Sequence, residues 1–175
     1  MTVDTGNNLL GRYQGVVMSN VDQSNRGRLL VRVTDVLGPF PIWAEPSAAL
    51  AGLASGIHVV PLPNSGVWVE FVNGDPDRAV WTGFWRGGPT ELPNVARITP
   101  PGTPQIALGT PTQNSILITD LPGPTGGIQI QLHGPAGPSI KLNETGIELS
   151  CGPGLASIRM TGTSVIVNNG ALIVT

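Results

Sequence analysis

Charge is scarce in this 175-residue chain: only 11% of residues are Asp, Glu, Lys or Arg, under half the usual share of ~25%. The formal net charge is −2. The lack of a basic excess argues against binding driven electrostatically to nucleic acid or to an anionic membrane surface. The one cysteine, Cys151, excludes an intrachain disulfide framework and a cysteine-built metal cage within one chain. No window reaches the ~18 apolar residues of a membrane span. The N-terminal MTVDTGNNLLGRYQG lacks the apolar stretch of a signal peptide, so synthesis in the cytoplasm without Sec export is expected.

Aromatic residues are missing from half of the chain. Tyr13, Phe40, Trp43, Trp68, Phe71, Trp81, Phe84 and Trp85 are the whole set, and nothing aromatic follows Trp85. Arginine is skewed the same way, with only Arg159 beyond Arg97. The shift divides the chain into an arm (1–11), a first domain (12–87), a Pro/Gly-rich connector (88–113) and a second domain (114–175).

What is present is β-forming pattern, with no stretch of convincing helical periodicity. In LLVRV, Leu29, Val31 and Val33 share one face; in VWVEFV, Val67, Val69 and Phe71 do so. YQGVVM, GIHVV and AVWTGFW are further predicted strands, separated by the turn signals NVDQSNRG, DVLGPFP, PLPNSG and NGDPD. About five strands in under ninety residues fit a small closed barrel. The irregular insertion Ala48–Ser55 has room for one helical turn.

The second domain repeats a unit of four to six residues with alternating aliphatics: NSILIT, GIQIQL, PSIKLN, GIELS, ASIRM, SVIVN and ALIVT. Ile140 with Leu142, Ile147 with Leu149 and Ile158 with Met160 form inward pairs, and Val165, Val167, Leu172 and Val174 continue them. One chain coiled alone encloses little core and leaves strand edges bare. Three copies around one axis solve both problems, each strand pairing with a neighbouring chain and the aliphatics meeting on the axis. The competing reading is a β-roll or sandwich capped by another protein.

The first domain carries a pattern of a different kind. Gly15, Asp22, Gly27, Arg28, Val31 and Val33 form a glycine-led strand, an Asp and a G-R-x-x-V-x-V run. Trp43-Ala44 follow, then Pro63, Gly66, Val69 and Phe71, then Gly74-Asp75-Pro76 with Val80 and Gly83. This set, over about residues 11–88, resembles the N-terminal oligosaccharide/oligonucleotide-binding (OB) barrel of contractile-tail spikes. These are the baseplate assembly protein V spikes of phages and the VgrG proteins of type VI secretion. The resemblance implies an all-β homotrimer, an OB barrel followed by an intertwined trimeric β-helix or β-prism needle. It implies a location in a tail baseplate or a related injection particle, and a role in puncturing a target cell envelope. Larger relatives have a hub domain before the barrel, so a separate hub protein is implied here. The connector is too short for the lysozyme domain of some phage spikes. His58 and His133 lack the His-x-His spacing of an iron-tipped spike, so no metal is expected at the tip. The apolar end at Ala171–Thr175 favours a separate PAAR-type tip protein.

No catalytic residue, cofactor site or metal site stands out. Asp75 and Asp77 read as turn residues, and Glu45, Glu70 and Asp120 have no motif around them. His58 sits between apolar neighbours in a predicted strand; His133 borders a turn, where three copies on an axis would face an ion. Cys151 reads as a packing residue. No Gly-x-Ser-x-Gly elbow and no phosphate-binding glycine motif occur. The alternative is a monomeric OB module binding nucleic acid or carbohydrate, with Arg26, Arg28 and Arg32 on one face and Trp43 or Trp68 as stacking platforms. The single lysine, Lys141, and the negative charge weigh against nucleic acid.

Overall fold

The structure, a computed structural model, describes residues 8–175. The chain divides after Gly87 into two compact units.

The first unit is a closed five-stranded barrel. Its strands are β1 (Arg12–Ser19), β2 (Leu29–Arg32), β3 (Pro41–Pro46), β6 (Gly66–Phe71) and β7 (Ala79–Phe84), in ring order β1-β2-β3-β7-β6. All pairings are antiparallel except β3 with β7. The period-2 pattern does what it predicts: Leu29, Val31, Val33, Val67, Val69 and Phe71 all point into the core with Val17, Ala44 and Trp81. Closure needs sharp bending, and two register shifts supply it, at Val17/Ser19 in β1 and Trp68/Val69 in β6. At Gly15 a Cβ would lie 2.9 Å from Val69 Cγ2, so β1 crosses the core where only glycine fits. A four-residue helix, α1 (Thr34–Leu37), links β2 to β3.

Two sequence expectations fail in this unit for one reason. GIHVV is not a barrel strand; the fifth strand is β3, and residues 57–60 are irregular and exposed. The insertion Ala48–Ser55 holds no helical turn. It forms a small hairpin of β4 (Ala51–Gly52) and β5 (Ser55–Gly56), turning through Ala54 at φ 55°. The ring is already closed by β3 and β7, so it offers no free edge to a sixth strand, and the apolar 47–60 segment is left outside it.

The second unit begins with a 3-10 turn and the short helix α2 (Asn94–Arg97), whose Val95 is buried. Eight strands follow: β8 (Gln105–Gly109), β9 (Ser115–Thr119), β10 (Gly127–Gln131), β11 (Ser139–Asn143), β12 (Gly146–Ser150), β13 (Ser157–Thr161), β14 (Ser164–Val167) and β15 (Leu172–Val174). Seven of these are the predicted units. The eighth, β8, lies inside the stretch read as connector, where flanking Pro and Gly obscure its Gln-Ile-Ala-Leu-Gly alternation. Each strand pairs antiparallel with its sequence neighbour in a single meander sheet. The interchain backbone pairing expected from sequence is therefore not what this chain does: SVIVNNGALIVT forms β14 and β15, which pair with each other, and β14 also pairs with β13. Short turns make neighbour pairing the path of least loop-closure cost.

The turns themselves are repeated. Leu-x-Gly-Pro-x-Gly occurs at 121–126 and again at 132–137, each time as a 3-10 turn closed by a hydrogen bond, from Gly126 N to Gly123 O (3.2 Å) and from Gly137 N to Gly134 O (3.1 Å). A Cβ on Gly126 or Gly137 would fall 1.5 or 1.7 Å from the carbonyl oxygen of Leu121 or Leu132. These glycines are thus required by close backbone approach.

Candidate functional site: an uncovered aliphatic face

Strict alternation in eight paired strands puts one set of side chains on each face of the sheet. On one face the register builds two parallel columns. The first runs Ile106, Ile118, Ile128, Leu142, Ile147, Met160, Val165, Val174; the second runs Leu108, Ile116, Ile130, Ile140, Leu149, Ile158, Val167, Leu172. Each strand contributes one residue to each column. All ten residues proposed from sequence for an axis lie here, brought together by register. The six on β8, β9 and β10 were missed, although Ile116, Ile118, Ile128 and Ile130 show the same alternation.

These side chains are not covered within the chain. Exposure runs from 37% at Ile147 to 62% at Ile106, and only Val165 and Val167 are less exposed. An exposed aliphatic patch on a monomer seldom exceeds a few hundred Å²; this one spans a whole sheet. A trough of about 560 Å³ runs along it, walled by Ile130, Ile140, Leu149 and Ile158 and ended by Leu132 and Pro138. The opposite face is polar in its middle rungs, where Gln129, Lys141, Glu148 and Arg159 stand directly opposite one another in series. A face of this kind can do one thing chemically: lose water against another apolar surface. Each side chain so covered contributes roughly 1 kcal/mol.

The motif residues of the barrel serve its architecture. Asp22 is the anchor of the β1–β2 loop. It accepts hydrogen bonds from Ser24 N (3.1 Å), Ser24 Oγ (2.7 Å), Arg26 N (2.9 Å) and Arg28 N (3.2 Å). It also receives Arg28 Nε (3.1 Å) and Nη2 (2.8 Å). The Arg28 side chain, followed by the Ser24 bonds, holds the Asp22 carboxyl far below the usual carboxylate range, against an opposing effect of burial. Gly27 takes φ 82° beside His58, whose Cε1 would lie 3.1 Å from a Cβ there. Gly66 lies under the Trp85 ring, which a Cβ would strike at 2.5 Å. Gly74 (φ 76°) receives Leu9 N at 3.1 Å on its carbonyl, Asp75 accepts from Asp77 N at 3.0 Å, and Pro76 lies in the same turn. Pro63 opens the turn before β6, Gly83 (φ 154°) faces open space, and Phe71 packs edge-on against Tyr13 at 5.6 Å.

The residues weighed for other chemistry are dispersed. Arg26 pairs with Glu45 (2.9 Å), Arg28 with Asp22 (2.8 Å), and the Arg28 guanidinium lies 5.2 Å from the Trp43 ring centre. The arginines of the nucleic-acid reading are thus partly neutralised locally. His58 is exposed outside the strands, not a barrel residue, for the ring-closure reason given above. His133 occupies a left-handed turn position and donates its N–H to Asn114 Oδ1 at 3.0 Å. Cys151 is exposed rather than packed, because its turn carries it past the end of β12. Among the described residues no three His, Cys, Asp or Glu side chains group as metal ligands, and no helix is long and apolar enough to cross a membrane.

The two units match two family models. Residues 13–85 match the type VI secretion system/phage-baseplate injector OB domain. Residues 105–173 match the phage baseplate V C-terminal trimerisation domain. The chain belongs to the phage baseplate V family. No match was found among curated proteins. The trimerisation match starts at Gln105, the first residue of β8, so the family boundary and the strand boundary coincide. Baseplate V proteins of this kind are structural parts of a tail baseplate or injector, and all of the bare aliphatic face but Val174 lies within the segment that matches the trimerisation domain.

Proposed function

We propose that three copies bury their aliphatic columns against one another on a threefold axis and form the shaft of a puncturing spike. The observation that carries this reading is the pair of eight-rung columns, aliphatic throughout and free of aromatics, exposed on a sheet whose backbone is already paired. Aliphatic side chains fit a narrow axis, whereas rings would hold the sheets apart. Eight strands at the usual ~4.8 Å spacing stack to roughly 35 Å, comparable with the ~30 Å hydrocarbon layer of a target membrane. Axial load falls on many side-chain and hydrogen-bond contacts together, so the shaft resists without unfolding.

In this reading the barrel docks on a separate hub protein and the chain has no catalytic, cofactor or metal role. Residues 171–175 offer a PAAR-type tip protein an apolar seat. On β14 and β15 the outer face turns aliphatic as well, at Ile166 and Ile173, which are paired in register. The whole particle is assembled from components made in the cytoplasm. Sedimentation equilibrium of the full chain tests the core claim. Three times the monomer mass, persisting in SDS without boiling, is expected; a concentration-independent monomer overturns it.

A further inference from the structure

The barrel has an uncovered apolar feature of its own, unrelated to the sheet. Between Glu45 and Glu70 the chain carries no acidic or basic residue apart from His58. Residues 47–60 of that stretch are all exposed, and Leu53 at the hairpin tip is 102% exposed. The hairpin, Ala54 and Ser55 beside the tip included, and β7 enclose a groove of about 760 Å³, lined also by Leu50, Ile57, Trp81 and Phe84, and the Leu53 side chain stays outside it. Thr82 also lines this groove, and its Oγ1 is buried with no hydrogen-bond partner among the described residues. A buried hydroxyl without a partner costs stability until an occupant supplies one. A purely aliphatic ligand does not; a hairpin tip, which brings backbone carbonyls together with a leucine, does.

We propose that the Leu53 hairpin tip of each copy seats in the Leu50–Phe84 groove of the next, closing a ring of three barrels. The exposed Leu53 side chain and the groove lining are different surfaces of the same chain, so the contact is heterologous, and such contacts form closed rings when the rotation closes. The occupant is argued from continuity with trimerisation, and the inference rests on that reading. Residues 85–104 can span no more than roughly 70 Å. Once the shafts join, every barrel therefore meets its neighbours at an effective concentration on the order of millimolar. Under those conditions a neighbouring tip is presented to each groove at high local concentration.

The test uses the full chain in a Cys151→Ser background, so that the exposed native thiol cannot contribute. Leu53→Cys and Phe84→Cys are introduced singly and together, and native mass is recorded on every sample before oxidation. The double variant is expected to give covalent dimers and trimers on denaturing gels, with neither single variant doing so. In parallel, amides of 47–60 in the wild-type trimer are expected to exchange at least tenfold more slowly than in Leu53→Asp, whose mass stays trimeric. A trimeric mass with no tip-to-groove cross-link and with fast exchange across 47–60 in the wild type overturns the ring while leaving the shaft intact. A monomeric wild-type mass overturns the shaft and the ring together.

Discussion

The barrel and the sheet solve the same problem in opposite ways. Both are built from short alternating strands. The barrel curls until β3 meets β7, and eleven buried apolar residues fill its interior. The sheet unit does not close on itself; apart from Val95 and Leu117 it has no buried hydrophobic residue among those described. Aromatic content follows the difference. The closed interior holds Phe71 and Trp81, while the bare face consists of Ile, Leu, Val and one Met, the set that the proposed packing against copies on an axis calls for. One half is therefore self-sufficient, and the other leaves its apolar face without cover inside the chain.

Five experiments break or sharpen this contrast. All four tryptophans lie in the barrel, so tryptophan fluorescence reads the barrel while native mass reads the sheet. Leu149→Asp has the largest effect. In the proposed trimer it places three carboxylates on the axis, each costing several kcal/mol when buried unpaired, so the expected outcome is loss of the trimer while the fluorescence transition of the barrel persists. A mass that stays trimeric removes Leu149 from the interface. Phe71→Ala acts on the other half, with an expected loss of about 3–5 kcal/mol in barrel stability and an unchanged trimeric mass. Gly66→Ala drives a methyl into the Trp85 ring and is expected to cost about 1–3 kcal/mol, with a shift in emission as Trp85 moves.

Acid gives a finer separation. Asp22 ionises more readily in the folded barrel than in the unfolded chain. Its stabilisation is therefore complete above the ordinary carboxylate pKa near ~4 and is lost as pH falls below it. The barrel transition is expected to weaken below pH ~4 in the wild type and to be flatter with pH in Asp22→Asn, measured by urea titration followed by fluorescence. Arg12→Ala sits at the bottom of the scale. The Arg12–Glu70 pair (2.8 Å) is largely solvent-exposed, so its removal is expected to change stability by about 0–1 kcal/mol, which 1 M salt reduces further.

How much of this was legible beforehand can be seen residue by residue. Val31, Val69 and Phe71 announce their burial because alternation is local and survives any tertiary context. Alternation likewise announces that Ile140 and Leu149 share a face, though that face is exposed in the chain. GIHVV shows the limit: its apolar residues satisfy a strand pattern as well as β3 does, and nothing local says that the ring closes without it. β8 was hidden for the converse reason, since Pro and Gly on both sides imitate a connector. Asp22 reads from sequence as a family marker, but its six accepted bonds come from a loop that folds back on it. Leu-x-Gly-Pro-x-Gly recurs in the sequence, and both copies fold as the same 3-10 turn.

The order of amino acids alone determined that both halves are β, that one has aromatics and the other does not, and which side chains share a face. Those properties depend on period and on turn chemistry, which act within a few residues. Tertiary structure decided which strands close the barrel, that the sheet pairs within its own chain, and that sixteen aliphatic side chains align in two uncovered columns. Register and closure depend on contacts between distant segments, and a pattern of period two is equally compatible with a covered face or a bare one.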